Sequence, residues 1–193
     1  ETAKVGETAA QILRRLKDYF KKQNQNESLL REQKEKIMIV SAGTNDAIGY
    51  AQIKSSTFNA DDVVKTIQEI VNLGRQNGYT PRVMPLMPYT GGRLYYKKPF
   101  NNERYQKYID SINAADVVKN NSFDSSLPRS LMGSDGIHPK INGYVKLFRN
   151  AVSGVRFSPV SDTKTLTDYN PYQAPASWGT KTLSKRVKEN DVW

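Results

Sequence analysis

Apolar residues recur every three to four positions in four stretches of the chain, residues 8–20, 60–73, 102–115 and 140–152. This spacing places the apolar side chains on one face of a helix, so it predicts four amphipathic helices that pack on a core. In the last helix, the predicted core-facing positions are Ile141, Val145, Leu147, Phe148 and Val152.

Two further segments have the character of strands. Residues 37–40 form a compact apolar run that leads into Ser41-Ala42-Gly43, which is typical of a buried strand in a parallel sheet. Residues 82–87 predict a second strand, although Pro85 has no N–H to donate to a sheet. A loop over residues 91–100 follows. Helices and strands that alternate in this way predict an α/β fold with a largely parallel sheet.

The 193 residues suit one domain with an appendage. We assign residues 1–154 to the domain, because the periodic pattern ends near Gly154. Residues 155–193 contain Pro, Ser, Thr and scattered aromatic residues without regular apolar spacing, so we expect an extended arm. Its aromatic residues suggest that it docks either on this domain or on other protein subunits.

Composition excludes several kinds of chemistry. The chain has no cysteine and a single histidine, which rules out disulfides, a thiol nucleophile, iron–sulfur clusters and multi-histidine metal sites within it. We therefore predict neither a metal nor another cofactor. No apolar run approaches the roughly 20 residues that cross a bilayer. The net charge of +10 is spread along the chain without a block of five like charges, so we interpret it as a basic surface and do not expect nucleic acid as a partner.

Three short polar segments are candidates for a reactive site. They are Gly6-Glu7-Thr8 before the first helix, Gly43-Thr44-Asn45-Asp46 directly after the first strand, and Asp135-Gly136-Ile137-His138-Pro139 before the last helix. In an open α/β sheet, the loops at the carboxyl ends of the strands meet at one crevice, where ligands bind. We expect the three segments to converge there.

The residue types in these segments suit acyl transfer. Asp135 can orient the His138 imidazole, which can then act as general base and general acid. The Asn45 amide and the Gly6 backbone N–H can donate to an oxyanion. Structural readings remain open for all four: His138 as an ordinary surface residue, Asn45 and Asp135 as turn residues, and Gly6 as a helix-entry glycine.

The order of these segments resembles the SGNH hydrolase family, also called GDSL-like lipases and esterases. Gly6 is similar to the second family block, residues 43–46 to the third and residues 135–139 to the fourth. The resemblance implies a three-layer α/β/α flavodoxin-like sandwich and metal-free hydrolysis of an acyl ester, with an acylated carbohydrate or a lipid as substrate. Tyr95 and Tyr96, in the loop after the second strand, are candidates for substrate binding.

The first family block, Gly-Asp-Ser, occurs nowhere in the sequence, which opens on Glu1 rather than Met. We expect the nucleophilic serine and the first strand to lie upstream, so the leading hypothesis is a serine esterase domain of a larger protein. The alternative hypothesis is a non-catalytic structural or interaction module of a large assembly such as a virus particle. The sequence does not fix a location, and an extracellular, cell-surface or virion-associated one is favoured.

Overall fold

A computed structural model of the chain describes residues 6–24, 36–52, 59–92, 94–95 and 98–154. The predicted arm over residues 155–193 lies outside them. The helices are α1 (Ala9–Asn24), α2 (Thr44–Gln52), α3 (Ala60–Gln76), α4 (Asn102–Asn113), α5 (Asp116–Lys119) and α6 (Ile141–Ala151). The strands are β1 (Lys36–Val40), β2 (Tyr79–Val83), β3 (Leu94–Tyr95) and β4 (Lys98–Pro99).

The central sheet is parallel, as the sequence predicts. Strands β1 and β2 pair from Lys36 with Tyr79 to Val40 with Val83, so their carboxyl ends lie side by side. A parallel bridge from Val83 to Ser122 continues the sheet on the far side of β2. Within the described residues, β1 has a strand neighbour on one side only.

Helices cover the two faces of this sheet. Met38 and Pro81 occupy paired positions, and both side chains lie against Gly74 of α3. Ile39 and Arg82 are the next pair, and because side chains alternate along a strand they point to the opposite face. There the Arg82 guanidinium donates a hydrogen bond to the carbonyl of Ser153, just after α6. The fold is therefore α/β, with α3 and α6 on opposite faces of a parallel sheet.

The main core lies on the α3 side. Helix α3 begins after Asn59, whose side chain accepts from the Asp61 N–H at 3.0 Å, and Asn77 caps its other end. Its apolar face packs against α1 and α4. Fully buried side chains from α3, β2 and α4 fill the space between them, namely Ile67, Ile70, Val71, Val83, Ile109 and Ile112.

Two predicted segments differ from the structure. The second strand covers Tyr79–Val83, not residues 82–87, because Pro85 lacks an N–H and the chain leaves the sheet after Met84 donates to the Val40 carbonyl at 2.9 Å. The predicted loop over residues 91–100 contains the antiparallel pair β3–β4. It ends at Phe100, whose ring is buried against Tyr89.

Helix α6 forms where it is predicted but buries a different face. Gly143, Leu147 and Ala151 are buried, whereas Val145 is 42% exposed. Three other large side chains of this helix are exposed as well, namely those of Ile141, Tyr144 and Phe148. Helical periodicity identifies an apolar face, but it does not identify what covers that face. We call these four residues the α6 stripe.

Candidate active site

The Asp135–His138 segment is a tight loop closed by backbone hydrogen bonds. Met132 and Pro139 form an antiparallel bridge at its neck, and the Gly133 N–H donates to the His138 carbonyl at 2.7 Å. The loop is fastened to the segment that follows β2, because the Thr90 N–H and hydroxyl both donate to the Gly136 carbonyl, at 2.9 and 3.2 Å. The loop thus has a fixed position relative to the sheet.

Gly136 is the residue that permits this close contact. Its φ of +76° lies in the left-handed region, which side chains disfavour. A Cβ at this position would overlap the backbone nitrogen of Gly91 and lie 2.9 Å from the carbonyl carbon of Thr90. A residue other than glycine would push the two segments apart.

Asp135 binds the histidine through both carboxylate oxygens. Oδ2 lies 2.6 Å from His138 Nδ1, and Oδ1 accepts the backbone N–H groups of Ile137 and His138, each at 3.0 Å. Partial burial raises the pKa of Asp135, but the hydrogen bonds from the His138 side chain and from the two backbone N–H groups outweigh it and hold the pKa below its usual value. An ionised carboxylate only accepts hydrogen bonds, so Nδ1 carries the proton that it donates.

The imidazole is accessible from its other side. The His138 side chain is 52% exposed, and Nε2 lies across the ring from the nitrogen that Asp135 binds. Two phenols lie near the carboxylate. The pKa of both Tyr89 and Tyr144 is raised, first by the partial burial of each phenol and second by the negative charge of Asp135. Both phenols therefore stay neutral near pH 7. The loop presents one ionised carboxylate, and the imidazole Nε2 has no hydrogen-bond partner among the residues that the structure describes.

Gly6 and Asn45 also belong to segments that meet. The Asn45 side-chain amide, in the first turn of α2, donates to the carbonyl of Glu7 at 2.8 Å, and Gly6 precedes Glu7 with a φ of +80°. An amide nitrogen carries two N–H groups, and among the described residues only the Glu7 carbonyl accepts from this one, so the second N–H is available to a ligand. The segments over residues 6–8 and 43–46 are therefore neighbours in space, although Glu7 and Asn45 lie 38 residues apart in sequence.

Asp46 holds these two segments together, a role that the sequence did not indicate. Its carboxylate is buried and accepts the N–H of Ala9, the first residue of α1, at 2.9 Å. Burial raises the pKa of Asp46, and the hydrogen bond from the Ala9 N–H opposes that rise. The acidic residue after Asn45 was the available signal, but only the tertiary contact reveals its purpose.

The two halves of the candidate site lie along one edge of the sheet. Gly43 packs against the Leu86 side chain, and Thr90, four residues beyond Leu86, binds the Asp135–His138 loop. In the described part of the chain no hydrogen bond joins Asn45 directly to His138. The segment after β2 is the element that connects them.

The other predicted binding residues are not tested by this arrangement. Tyr95 lies in β3, where the structure describes the backbone but not the side chain, and Tyr96 lies outside the described residues. Among the residues described, no cluster of three or more His, Asp or Glu side chains could hold a metal ion. No described helix has the length and apolarity needed to cross a membrane.

Solved structures with a similar fold include two hydrolases from Bacteroides. A GDSL-like lipase from Bacteroides thetaiotaomicron VPI-5482 superposes with a TM-score of 0.53 at 17% identity, covering 76% of this chain and 71% of the lipase. A putative acylhydrolase from Bacteroides fragilis NCTC 9343 has a TM-score of 0.55 at 21% identity, covering 76% of this chain and 70% of the acylhydrolase. No protein-family model and no curated protein matches the sequence. The fold of this chain is that of GDSL-like α/β hydrolases.

Proposed function

We propose that this chain is the larger part of a serine ester hydrolase in which Asp135 and His138 form the acid–base pair. The observation that carries the proposal is the 2.6 Å contact between Asp135 Oδ2 and His138 Nδ1, which leaves the opposite side of a half-exposed imidazole available. A carboxylate, an imidazole and an external hydroxyl in this order are the elements of a serine triad.

The reaction follows from the proton positions. As a serine hydroxyl attacks the ester carbonyl, its proton passes to His138 Nε2, and the Asp135 carboxylate stabilises the imidazolium. The imidazolium then protonates the departing alkoxide, which leaves an acyl-enzyme. His138 next accepts a proton from water, whose oxygen attacks the acyl carbon, and returns it to the serine as the acid is released.

Asn45 and Gly6 are our candidates for stabilising the oxyanion. The second N–H of the Asn45 amide and the backbone N–H of Gly6 are donors on adjoining segments. Donors fixed before the reaction stabilise the developing negative charge, and one such donor typically contributes about 100- to 1000-fold to kcat. The bond from Asn45 to the Glu7 carbonyl serves to fix the direction of that amide.

The open edge of β1 is where we expect the serine-bearing strand. Ile39 is one of the four apolar residues of β1, yet its side chain is 41% exposed. It lies on the sheet face that carries α6. The exposed α6 stripe belongs to the same layer. A further strand that pairs with β1 would satisfy its free backbone groups and shield Ile39, and its carboxyl end would lie beside Gly43. This arrangement supports a nucleophile on a segment before Glu1 of the full-length protein.

Ester hydrolysis by the full-length protein tests the proposal. With p-nitrophenyl acetate, we expect His138→Ala to lower kcat/KM at least a hundredfold, since general acid–base catalysis typically contributes about 100- to 10 000-fold. Asn142→Ala, at an exposed position four residues away, is the matched control and should retain full activity. A loss below tenfold in His138→Ala would show that His138 is not the base.

A non-catalytic interaction module is the second candidate. The α6 stripe favours it, because an exposed row of large apolar side chains is typical of a surface that binds another protein. Other subunits that the arm contacts would be its partners. Under this candidate the full-length protein would hydrolyse no ester, and Phe148→Lys would disrupt assembly without affecting any reaction.

A further inference from the structure

A pocket of about 430 Å³ lies between the segment that follows β2 and residues 123–127. Its volume falls within the range of about 300–1000 Å³ that is usual for small-ligand sites. The side chains that form its walls are mainly apolar, and they include Pro85, Leu86, Met87, Phe123, Leu127 and Met132. We call it the Met132 pocket.

The polar side chains around this pocket are already hydrogen-bonded within the protein. The Asn113 amide donates to and accepts from the backbone of Leu86, at 2.9 and 2.8 Å. The Ser125 hydroxyl donates to the Pro85 carbonyl at 3.2 Å. The Ser126 hydroxyl and N–H both donate to the Asp124 carboxylate, at 2.6 and 2.9 Å.

These bonds limit the kind of ligand that the pocket favours. A sugar needs several free donors and acceptors, and the pocket walls offer few. Hydrogen bonds from Ser126 lower the pKa of Asp124, so this carboxylate at the rim is ionised near pH 7 and repels anions. The surface that remains is neutral and apolar, and it includes two methionines, whose flexible side chains adapt to an alkyl chain.

The pocket shares structural elements with the candidate active site. Thr90 lines the pocket and also binds the Gly136 carbonyl. Met132 lines it and directly precedes Gly133, whose N–H donates to the His138 carbonyl at 2.7 Å. One side of the pocket is therefore continuous with the loop that carries the Asp135–His138 pair.

We propose that the Met132 pocket binds the acyl chain of the ester, so that the enzyme prefers medium-length alkyl acyl groups to acetyl groups. This inference rests on the proposed function and specifies its substrate class. Each additional methylene that the pocket removes from water should raise kcat/KM by up to about fourfold, until the pocket is full. Octanoyl esters should accordingly be hydrolysed at least tenfold more efficiently than acetyl esters.

The experiment compares p-nitrophenyl acetate, butyrate and octanoate with the full-length protein. Ser126→Trp, at the exposed rim, and Leu127→Trp, in the wall, should fill the pocket and lower the octanoate-to-acetate ratio of kcat/KM at least fivefold. Ser130→Trp, exposed in the same segment but outside the pocket, is the control. Ser126 is at the surface, so its variant should fold even if Leu127→Trp does not.

The possible results separate the two proposals. Hydrolysis of all three esters with a ratio that Ser126→Trp leaves unchanged would overturn the acyl-pocket assignment and leave the proposed function standing. A preference for acetate in the wild-type protein would do the same. Failure to hydrolyse any ester, with no labelling by a fluorophosphonate, would overturn both.

Discussion

Replacing Gly136 by alanine should reveal how far the active-site loop depends on one close backbone contact. Gly136 and Gly78 have nearly the same φ, +76° and +77°, and Gly78 lies at the end of α3, away from the candidate site. A Cβ at Gly78 would meet no atom within 4 Å, whereas at Gly136 it would overlap Gly91. The two substitutions therefore share backbone strain and differ in steric overlap.

The magnitudes follow from this comparison. A left-handed conformation costs an alanine about 1–2 kcal/mol, so Gly78→Ala should lower the free energy of unfolding by about that amount. Gly136→Ala should lose about 1–3 kcal/mol more, which is the usual cost of overpacking. Both variants restrict the unfolded chain equally, so the difference between them isolates the contact with Gly91.

Urea unfolding of the full-length protein and its variants, followed by circular dichroism, measures these losses. We also expect Gly136→Ala to lower ester hydrolysis about ten- to a hundredfold, because the displaced loop carries His138 and small misplacements of catalytic groups are costly. Gly78→Ala should retain activity. Equal losses of stability in the two variants would refute the close contact, and with it the fixed position of the loop.

Three further predictions concern the polar residues of the site. Asn45→Ala should lower kcat about 100- to 1000-fold with little change in KM, because an oxyanion donor acts in the transition state; a loss below tenfold in kinetic assays would remove Asn45 from the oxyanion site. Asp46→Ala should lower the free energy of unfolding by about 1–3 kcal/mol, because it leaves the buried Ala9 N–H without an acceptor. Asp46→Asn keeps an acceptor without a buried charge, so it should lose less stability. Equal losses of the two variants in urea titrations would contradict this role. The lowered pKa of Asp135 means that its ionised form stabilises the fold above the unfolded value of about 3.9, and that this stabilisation disappears as the pH falls through the lower folded value. The stability difference between wild type and Asp135→Asn, measured by thermal unfolding, should therefore shrink as the pH falls below about 4, and a difference that continues to grow below that pH would contradict this role.

Much of the fold follows from local patterns in the sequence. The apolar run at residues 37–40 forms β1, and the helical spacing from Ala60 correctly predicts α3, because each pattern matches the period of the element that it forms. The sequence pattern places the second strand too late, because aliphatic and methionine side chains concentrate in residues 82–87, whereas residues 79–81 contain none. Pro85, which has no N–H to donate, directly follows Met84, the last residue that donates to β1.

The sequence predicts the chemically active residues of the site, but it does not predict the side chains that hold their segments in place. The spacing of Asp135 and His138 predicts their pairing, which the structure shows at 2.6 Å. The Thr90 hydroxyl donates to the carbonyl of Gly136, 46 residues away, and the Asp46 carboxylate accepts from the N–H of Ala9, 37 residues away. Such contacts depend on how whole segments pack, and no local pattern encodes them.

The exposed face of α6 shows the same limitation. The sequence predicts that Val145 and Phe148 face a core, and their spacing is indeed that of a buried stripe, yet Phe148 is 57% exposed. Periodicity reports that a face is apolar, whereas its burial depends on a neighbouring element. Under the proposed function, a further strand that pairs with β1 would supply that element.

Mapping the serine that a fluorophosphonate labels in the full-length protein tests the central claim most directly. We predict that the label attaches, in a peptide identified by mass spectrometry, to one serine before Glu1, and that His138→Ala slows its attachment at least a hundredfold. Attachment to a serine within residues 1–193, or equal labelling with and without His138, would contradict the claim that this chain activates a nucleophile supplied by another segment.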